Sequence, residues 1–335
     1  MFTLGIETSC DETSCSVTRH GKVLSNIVSS SVKYHSPFGG IVPEIASRYH
    51  LEYIDHVYRE ALEAAGVKSS SIKLICVTEG PGLMGSLLVG VSYAKALGYA
   101  LKIPVIGVDH IYAHILANFL NKKFQQKPSF PFIGLVVSGG HTSLFLCRDF
   151  YNNQIVGQTL DDAAGEAFDK VAKILGLGYP GGPIIEKKAG KYNGCDKIHF
   201  PRALMSKPSL DFSFSGLKTS VLYHAAKRKL SKKNITEIAY SFQEAAVDVL
   251  MVKSINACQK FNISTLLVGG GVSCNRRLAM RLKKECSEKN INVFIPVKEY
   301  CLDNAAMIGF AGAMRFQNQN RHASKPIPYA SKAYK

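Results

Sequence analysis

His110 and His114, in the run His110-Ile111-Tyr112-Ala113-His114, stand four residues apart and so share one face of a helix. At that spacing two imidazoles reach a single metal ion, although incidental surface pairs have the same spacing. No glutamate follows His110, so the run is not the H-E-x-x-H pattern of zinc proteases, and that pattern's general base is missing. A carboxylate ligand has to come from elsewhere. The candidate is Asp303 in Leu302-Asp303-Asn304-Ala305-Ala306-Met307, at the start of an apolar helix, where its plainer reading is an N-cap.

A second concentration of reactive groups is the run from Asp161 to Lys170, which carries the carboxylates Asp161, Asp162, Glu166 and Asp169. Glu166, Asp169 and Lys170 fall within one helical turn and offer partners to a ribose or an amino group. A solvated acidic first turn fits the same residues. Gly176 to Pro183 is a glycine-rich loop that lets a ligand approach the main chain. Asp211 to Lys218 mixes aromatics, hydroxyls and a cation ahead of a helix, as RNA contacts do and as core packing with capping does.

Periodicity gives the elements that must position these groups. Phe2 to Glu7, Ser14 to Thr18 and Lys22 to Ser29 alternate as three strands, and a helix runs from Pro43 to a stop at Gly66. A buried strand at Leu74 to Val77, a helix to about Tyr99 and a strand at Pro104 to Val108 complete a βββαβαβ order. Near Pro131 the pattern restarts, with strands at Phe132 to Val137, Thr142 to Cys147 and Gln154 to Thr159, and a later one at Thr265 to Val268. This repetition predicts two similar α/β halves facing each other across a cleft. Each half opens with a hairpin whose polar turn presents backbone N–H groups to an anion, and Gly269-Gly270-Gly271 ends a third strand at a helix start suited to a nucleotide.

With 335 residues and 46% apolar residues the chain has enough material for two cores, which excludes a disordered protein. Apolar windows such as Leu83 to Leu101 are broken by Gly, Ser and Lys95, so no membrane span is expected, and the N-terminus lacks a signal-peptide pattern. Nine cysteines without a C-x-x-C pair point to a reducing cytoplasm. The net charge of +16 favours polyanionic partners. It is concentrated between Lys187 and Lys233, where twelve basic residues face only Asp196 and Asp211, and in a tail from Arg315 with no acid. Both segments, with Lys227, Arg228 and Lys229 as the probe, are expected to contact RNA backbone.

Several blocks together carry a family resemblance. Glu7 to Thr13, Pro43 to Arg48, Gly80 to Leu83, His110 to His114, Val137 to Thr142 and Gly165 to Lys170 appear in order. Tyr179 to Pro183, Phe212 to Lys218 and Gly269 to Val272 with Asn275 complete the set. The chain resembles the bacterial tRNA N6-adenosine threonylcarbamoyltransferase (TsaD) family along nearly its whole length. The resemblance implies an α/β, actin-like (ASKHA) fold of two ribonuclease-H-like halves around a nucleotide cleft. The first half would span residues 1–125, completed by a C-terminal helix at 303–335, and the second residues 126–302. The implied reaction moves threonylcarbamoyl from threonylcarbamoyl-AMP to the N6 amine of the adenosine 3′ of the anticodon, in tRNAs that read codons beginning with adenine.

By motif match, His110, His114 and Asp303 would hold an iron (Fe2+) or zinc ion. Val136, Val137, Ser138, Gly139, Gly140, Asp169, Gly182, Glu186 and Asn275 would hold the adenylate, and Asp11 and Glu12 form an acidic turn of catalytic character. Implied partners are tRNA, an actin-like paralogue and a small ATPase. Competing readings are a metal-dependent peptidase built on His110 and His114, and a non-catalytic actin-like nucleotide-binding scaffold.

Overall fold

The computed structural model describes residues 1–121, 127–150, 152–205, 208–227, 230–318 and 325–330. The elements in chain order begin with β1 (Phe2–Glu7), β2 (Glu12–Arg19), β3 (Lys22–Ser30), α1 (Val32–His35) and α2 (Pro43–Ala65). Then come β4 (Ile72–Gly80), α3 (Met84–Leu101), β5 (Val105–Asp109) and α4 (His110–Leu116). A second series holds β6 (Phe132–Val137), β7 (Thr142–Cys147), β8 (Asn153–Gln158), α5 (Ala164–Ile174), α6 (Gly181–Ala189) and α7 (Ser215–Ala226). It continues with α8 (Lys232–Lys260), β9 (Thr265–Gly269), α9 (Arg276–Ser287) and β10 (Asn292–Phe294), before α10 (Lys298–Cys301) and α11 (Ala305–Asn318).

Two compact units result, residues 1–127 with 296–335 and residues 128–295. The first sheet has the order β3-β2-β1-β4-β5, the second β10-β9-β6-β7-β8. In each, the first three strands of the series pair antiparallel and the later ones add in parallel beside the first, the ribonuclease-H-like topology that the resemblance implies. The leading strands are buried on both faces, β6 as a nearly unbroken apolar run and β1 despite its polar Thr3 and Glu7.

In unit 1, Leu4, Ile6, Val17, Ile75 and Val77 of the sheet pack on Ile54 and Val57 of α2 and Val91 of α3. α2 ends at Gly66, whose φ of +63° suits glycine. α11 crosses the other face of the sheet at Gly5, where a Cβ would lie 2.1 Å from the Ala305 carbonyl oxygen. Ser14 Oγ and Asn26 Oδ1 accept from the Ala305 and Ala306 N–H groups and anchor the start of that helix. α3 has the length and mean hydropathy (1.2) of a membrane-spanning helix, which the broken apolar window did not lead us to expect. One face of it, with Leu87, Val91, Ala94 and Gly98, is buried in unit 1. In unit 2 the core gathers Phe168, Phe212, Phe214 and Phe242 around α5, α7 and α8.

Candidate metal centre and the turns of unit 2

β5 ends at Asp109 and α4 starts at the next residue. Asp109 Oδ1 accepts from the Tyr112 N–H at 2.9 Å, an N-cap that fixes the first turn and the direction of the two histidines. Their rings meet edge to face, 4.7 Å between centroids. Both are buried, His114 completely, so the pair is not an incidental surface one. Asp303 lies in the connection before α11, with Oδ1 3.1 Å from His114 Nε2 and 3.6 Å from His110 Nε2. The N-cap task falls to its neighbour: Asn304 Oδ1 accepts from the Met307 N–H at 3.1 Å, which leaves the Asp303 carboxylate to the histidines.

One donor atom from each of His110, His114 and Asp303 lies within 4.8 Å of the other two. Neither ring nitrogen of the buried His114 has a hydrogen-bond partner, since its approach to Asp303 is short but poorly aligned. A buried polar atom left in that state is costly, and a cation between the three groups removes the cost at Nε2. Two imidazoles and a carboxylate suit zinc or iron(II), with coordination positions left open.

Glu7, at the end of β1, completes the surroundings of this centre and was not singled out as a site residue from sequence. It is fully buried; its Oε2 accepts from His110 Nδ1 at 2.9 Å and from Thr78 Oγ1 at 2.6 Å, and its Oε1 from the Ser9 N–H. Burial alone would raise its pKa, but the His110 charge and hydrogen bond hold it below the usual glutamate value. Burial likewise works against the His110 imidazolium, yet Glu7 and then Asp303 bring its pKa up to about 9 in the metal-free chain. The one sequence signal for Glu7 was its place at a strand end, beside the acidic turn.

That turn is held from behind. His50 Nε2 donates to the Cys10 carbonyl at 2.9 Å while its Nδ1 accepts from Thr13 Oγ1 at 2.7 Å, and burial keeps this ring neutral. Ser31 Oγ donates to the Asp11 carbonyl at 2.9 Å. Burial, followed by the charge of Asp11, pushes the Glu12 carboxyl well above the usual range.

In unit 2, Val136 and Val137 are buried in β6, and Ser138-Gly139-Gly140 turns the chain toward β7. A Cβ on Gly139 or Gly140 would meet no atom within 4 Å, so the turn faces open space. Behind it, Gly165 of α5 packs so closely that a Cβ would lie 2.5 Å from the Ser138 oxygen. Asp169 Oδ1 accepts from the Gly181 N–H at 2.7 Å at the start of α6, whose second residue is Gly182. Glu186 Oε1 accepts from the Arg276 N–H at 2.8 Å, and Asn275 caps the same helix through the Leu278 N–H at 3.0 Å. Of the expected adenylate residues, Asp169, Glu186 and Asn275 thus accept from N–H groups at the starts of α6 and α9, whereas Val136 to Gly140 form the end of β6 and its turn.

The two ambiguous runs turn out to bind each other. Asp161 accepts from Ser213 Oγ, Ser215 Oγ and the Phe214 and Ser215 N–H groups, while Asp162 pairs with Lys170 at 2.6 Å and Lys218 at 3.2 Å. Phe212 and Phe214 are core residues, so this segment packs and caps. Part of the basic excess is likewise internal: Arg202 pairs with Asp196 and Asp248, and Arg315 donates to the Gly107 carbonyl. Arg228 and Lys229 lie outside the described residues.

Residues 22–310 match the family described as TsaD, tRNA N6-adenosine threonylcarbamoyltransferase. The chain belongs to the TsaD family. Relatives of that name are 49% identical in Thermosipho africanus (93% of each chain) and 51% in Dictyoglomus turgidum (95% of this chain, 94% of the relative). In Bacillus subtilis the figure is 47%, over 96% and 93%. Among solved structures, HypF from T. kodakarensis has a TM-score of 0.62 at 15% identity, covering 96% of this chain and 48% of its own. The ADPNP-bound activator of 2-hydroxyisocaproyl-CoA dehydratase from Clostridium difficile has a TM-score of 0.55 at 12% identity, covering 97% and 98%. At such identities they establish the fold, which is actin-like, of the ASKHA class. The TsaD family implies a metal cofactor, and the cluster of His110, His114 and Asp303 is the candidate site for one among the described residues.

Proposed function

We propose that the chain transfers threonylcarbamoyl from threonylcarbamoyl-AMP to the N6 amine of adenosine 37, 3′ of the anticodon, in tRNAs reading codons that begin with adenine. The observation that carries this reading is the buried convergence of His110, His114 and Asp303, in a chain of the TsaD family. His110, His114 and Asp303 would hold an iron or zinc ion, which would supply a Lewis acid for the carbamoyl carbonyl. Glu7 holds the proton of His110 on Nδ1, which leaves Nε2 facing Asp303.

The remaining tasks fall to the chain's own groups. Val136 to Gly140 with Asp169, Gly182, Glu186 and Asn275 bind the adenylate, the open turn at Gly139 and Gly140 giving its phosphate access to backbone. A mixed anhydride with phosphate already carries a good leaving group, so no nucleophilic thiol is required. Cys10 beside the acidic turn has its thiol pushed well above the ordinary value by burial and by Asp11, as suits a bystander. Asp11 and Glu12 of the acidic turn are the catalytic carboxylates of this reading, burial and then the Asp11 charge raising the proton affinity of Glu12. An unstacked anticodon-loop base reaches such a pocket, whereas a paired base does not. The basic residues of the 187–233 stretch that face solvent, and the tail, bind phosphates. An actin-like paralogue and a small ATPase of the cytoplasm act with the chain.

The test is mass analysis of tRNA nucleosides after incubation of metal-loaded protein with threonylcarbamoyl-AMP and unmodified tRNA. Threonylcarbamoyladenosine is expected with the natural chain and not with His110→Ala. Adenosine left unmodified by the metal-loaded natural chain overturns the reading.

A further inference from the structure

The last two turns of α3 carry Lys95 and Tyr99, four residues apart and so on one helix face, and Lys102, the residue that caps the helix, lines the same groove. Lys325 and the buried Pro326, from the segment at 325–330, lie against the same face and complete a groove of about 940 Å3. That volume is at the upper end of ligand-sized clefts. Its lining has three lysines and no acidic residue, and none of the three lysines is ion-paired among the described residues. Tyr99 is 89% exposed and lines the groove with Gly98 and Ile103.

Lys102 carries a further signal. It ends α3 in the left-handed conformation, φ +54°, where glycine or asparagine is the usual choice. A long cation stands in a conformation disfavoured for it, and it lines the groove. The 325–326 wall is also firmly anchored: a few residues on, the Tyr329 N–H donates to the Glu79 carbonyl at 2.9 Å, and Tyr329 Oη to Asp109 Oδ2 at 2.9 Å.

We infer that this groove binds a single-stranded segment of an RNA, Tyr99 stacking on a base while Lys95, Lys102 and Lys325 neutralise flanking phosphates. The ring selects among polyanions, because a base has a π-face to offer and an acidic peptide side chain does not. Lys95 and Lys102 are about 10 Å apart along the helix, which suits two phosphates of one strand better than one phosphate group. The inference rests on the reading of the chain as a tRNA-modifying enzyme and adds a contact surface in unit 1 that the motifs did not indicate.

Titrations of unmodified tRNA, a short single-stranded RNA and AMP against the full chain, followed by fluorescence anisotropy and repeated at several salt concentrations, test it. Tyr99→Ala is expected to weaken binding of both RNAs roughly five-fold or more, and Tyr99→Phe to keep it, since stacking needs the ring alone. The double variant Lys95→Glu with Lys102→Glu should lower the log–log salt slope by about 1.4 to 1.8. Metal content and melting temperature should not move in any of these. RNA titrations that coincide for all variants overturn the groove, as does AMP binding as tight as RNA or a Tyr99→Phe variant as weak as Tyr99→Ala. RNA binding that depends on Tyr99 in a chain that transfers no threonylcarbamoyl leaves the groove standing and removes the enzymatic reading. Normal transfer with coincident RNA titrations does the reverse.

Discussion

Glu7 and His110 are 103 residues apart in the chain and share a buried hydrogen bond of 2.9 Å between carboxylate and Nδ1. Because the Nδ1 proton is held there, Nε2 is free to face His114 and Asp303. Glu7→Gln is therefore expected to lower metal affinity roughly 10- to 100-fold while the chain still melts cooperatively. Competition against a fluorescent chelator measures this. Wild-type affinity in a folded Glu7→Gln variant would remove Glu7 from the metal centre.

The neighbours Asp303 and Asn304 have separable tasks. Asp303→Ala should abolish stoichiometric metal in elemental analysis at little cost in stability. Asn304→Ala should cost about 1 kcal/mol through loss of the α11 cap and retain the metal. Metal lost equally from both would mean that helix position, rather than the carboxylate, decides binding.

Gly140 and Gly270 make an informative pair. A valine side chain at 140 enters open space, so Gly140→Val should fold normally and bind adenylate weakly in calorimetry. At 270 the backbone has φ +87°, and a Cβ would lie 2.4 Å from the Val137 oxygen. Gly270→Val is accordingly expected to destabilise unit 2 by about 3 kcal/mol or more, visible in denaturant melts. A Gly140→Val chain with unchanged nucleotide affinity would exclude that turn from the ligand.

Asp161 gives a pH signature. Burial would raise its pKa, but hydrogen bonds from Ser213, Ser215 and the two backbone N–H groups outweigh this and hold it below the ordinary aspartate value. Its contribution to stability is thus complete above the unfolded pKa of about 3.9 and is lost as pH falls through the lower folded value. Asp161→Asn should melt below the natural chain at neutral pH by an amount typical of a lost cap, about 0.5 to 2 kcal/mol. The gap should close below about pH 4. A gap that is constant from pH 3 to 7 would contradict this.

The strands and the His110–His114 pair were legible because period two, period 3.6 and the i, i+4 rule are local properties of the chain. What brings Asp303 to the histidines is not local, because it depends on α11 crossing β1. The same holds for Glu7, whose role appears only once β1, β4 and α4 lie side by side. The acidic run from Asp161 was ambiguous for a related reason. Sequence displays four carboxylates but not the start of α7 and the two lysines that take up Asp161 and Asp162.

The closeness of Ala305 to Gly5 has a consequence for how the molecule is made. Unit 1 needs both ends of the chain, whereas unit 2 is one continuous stretch, residues 128–295. A ribosome therefore releases all of unit 2 while the first sheet still lacks both the helix that covers one of its faces and Asp303, which lies just ahead of that helix. The second unit is thus complete in the emerging chain before the first, and the three metal-ligating residues are complete only once Asp303 has emerged. Nascent chains stalled with residue 295 just outside the exit tunnel should already yield a protease-resistant fragment of unit 2 and carry no metal. A protected N-terminal sheet at that length would contradict this sequence of events.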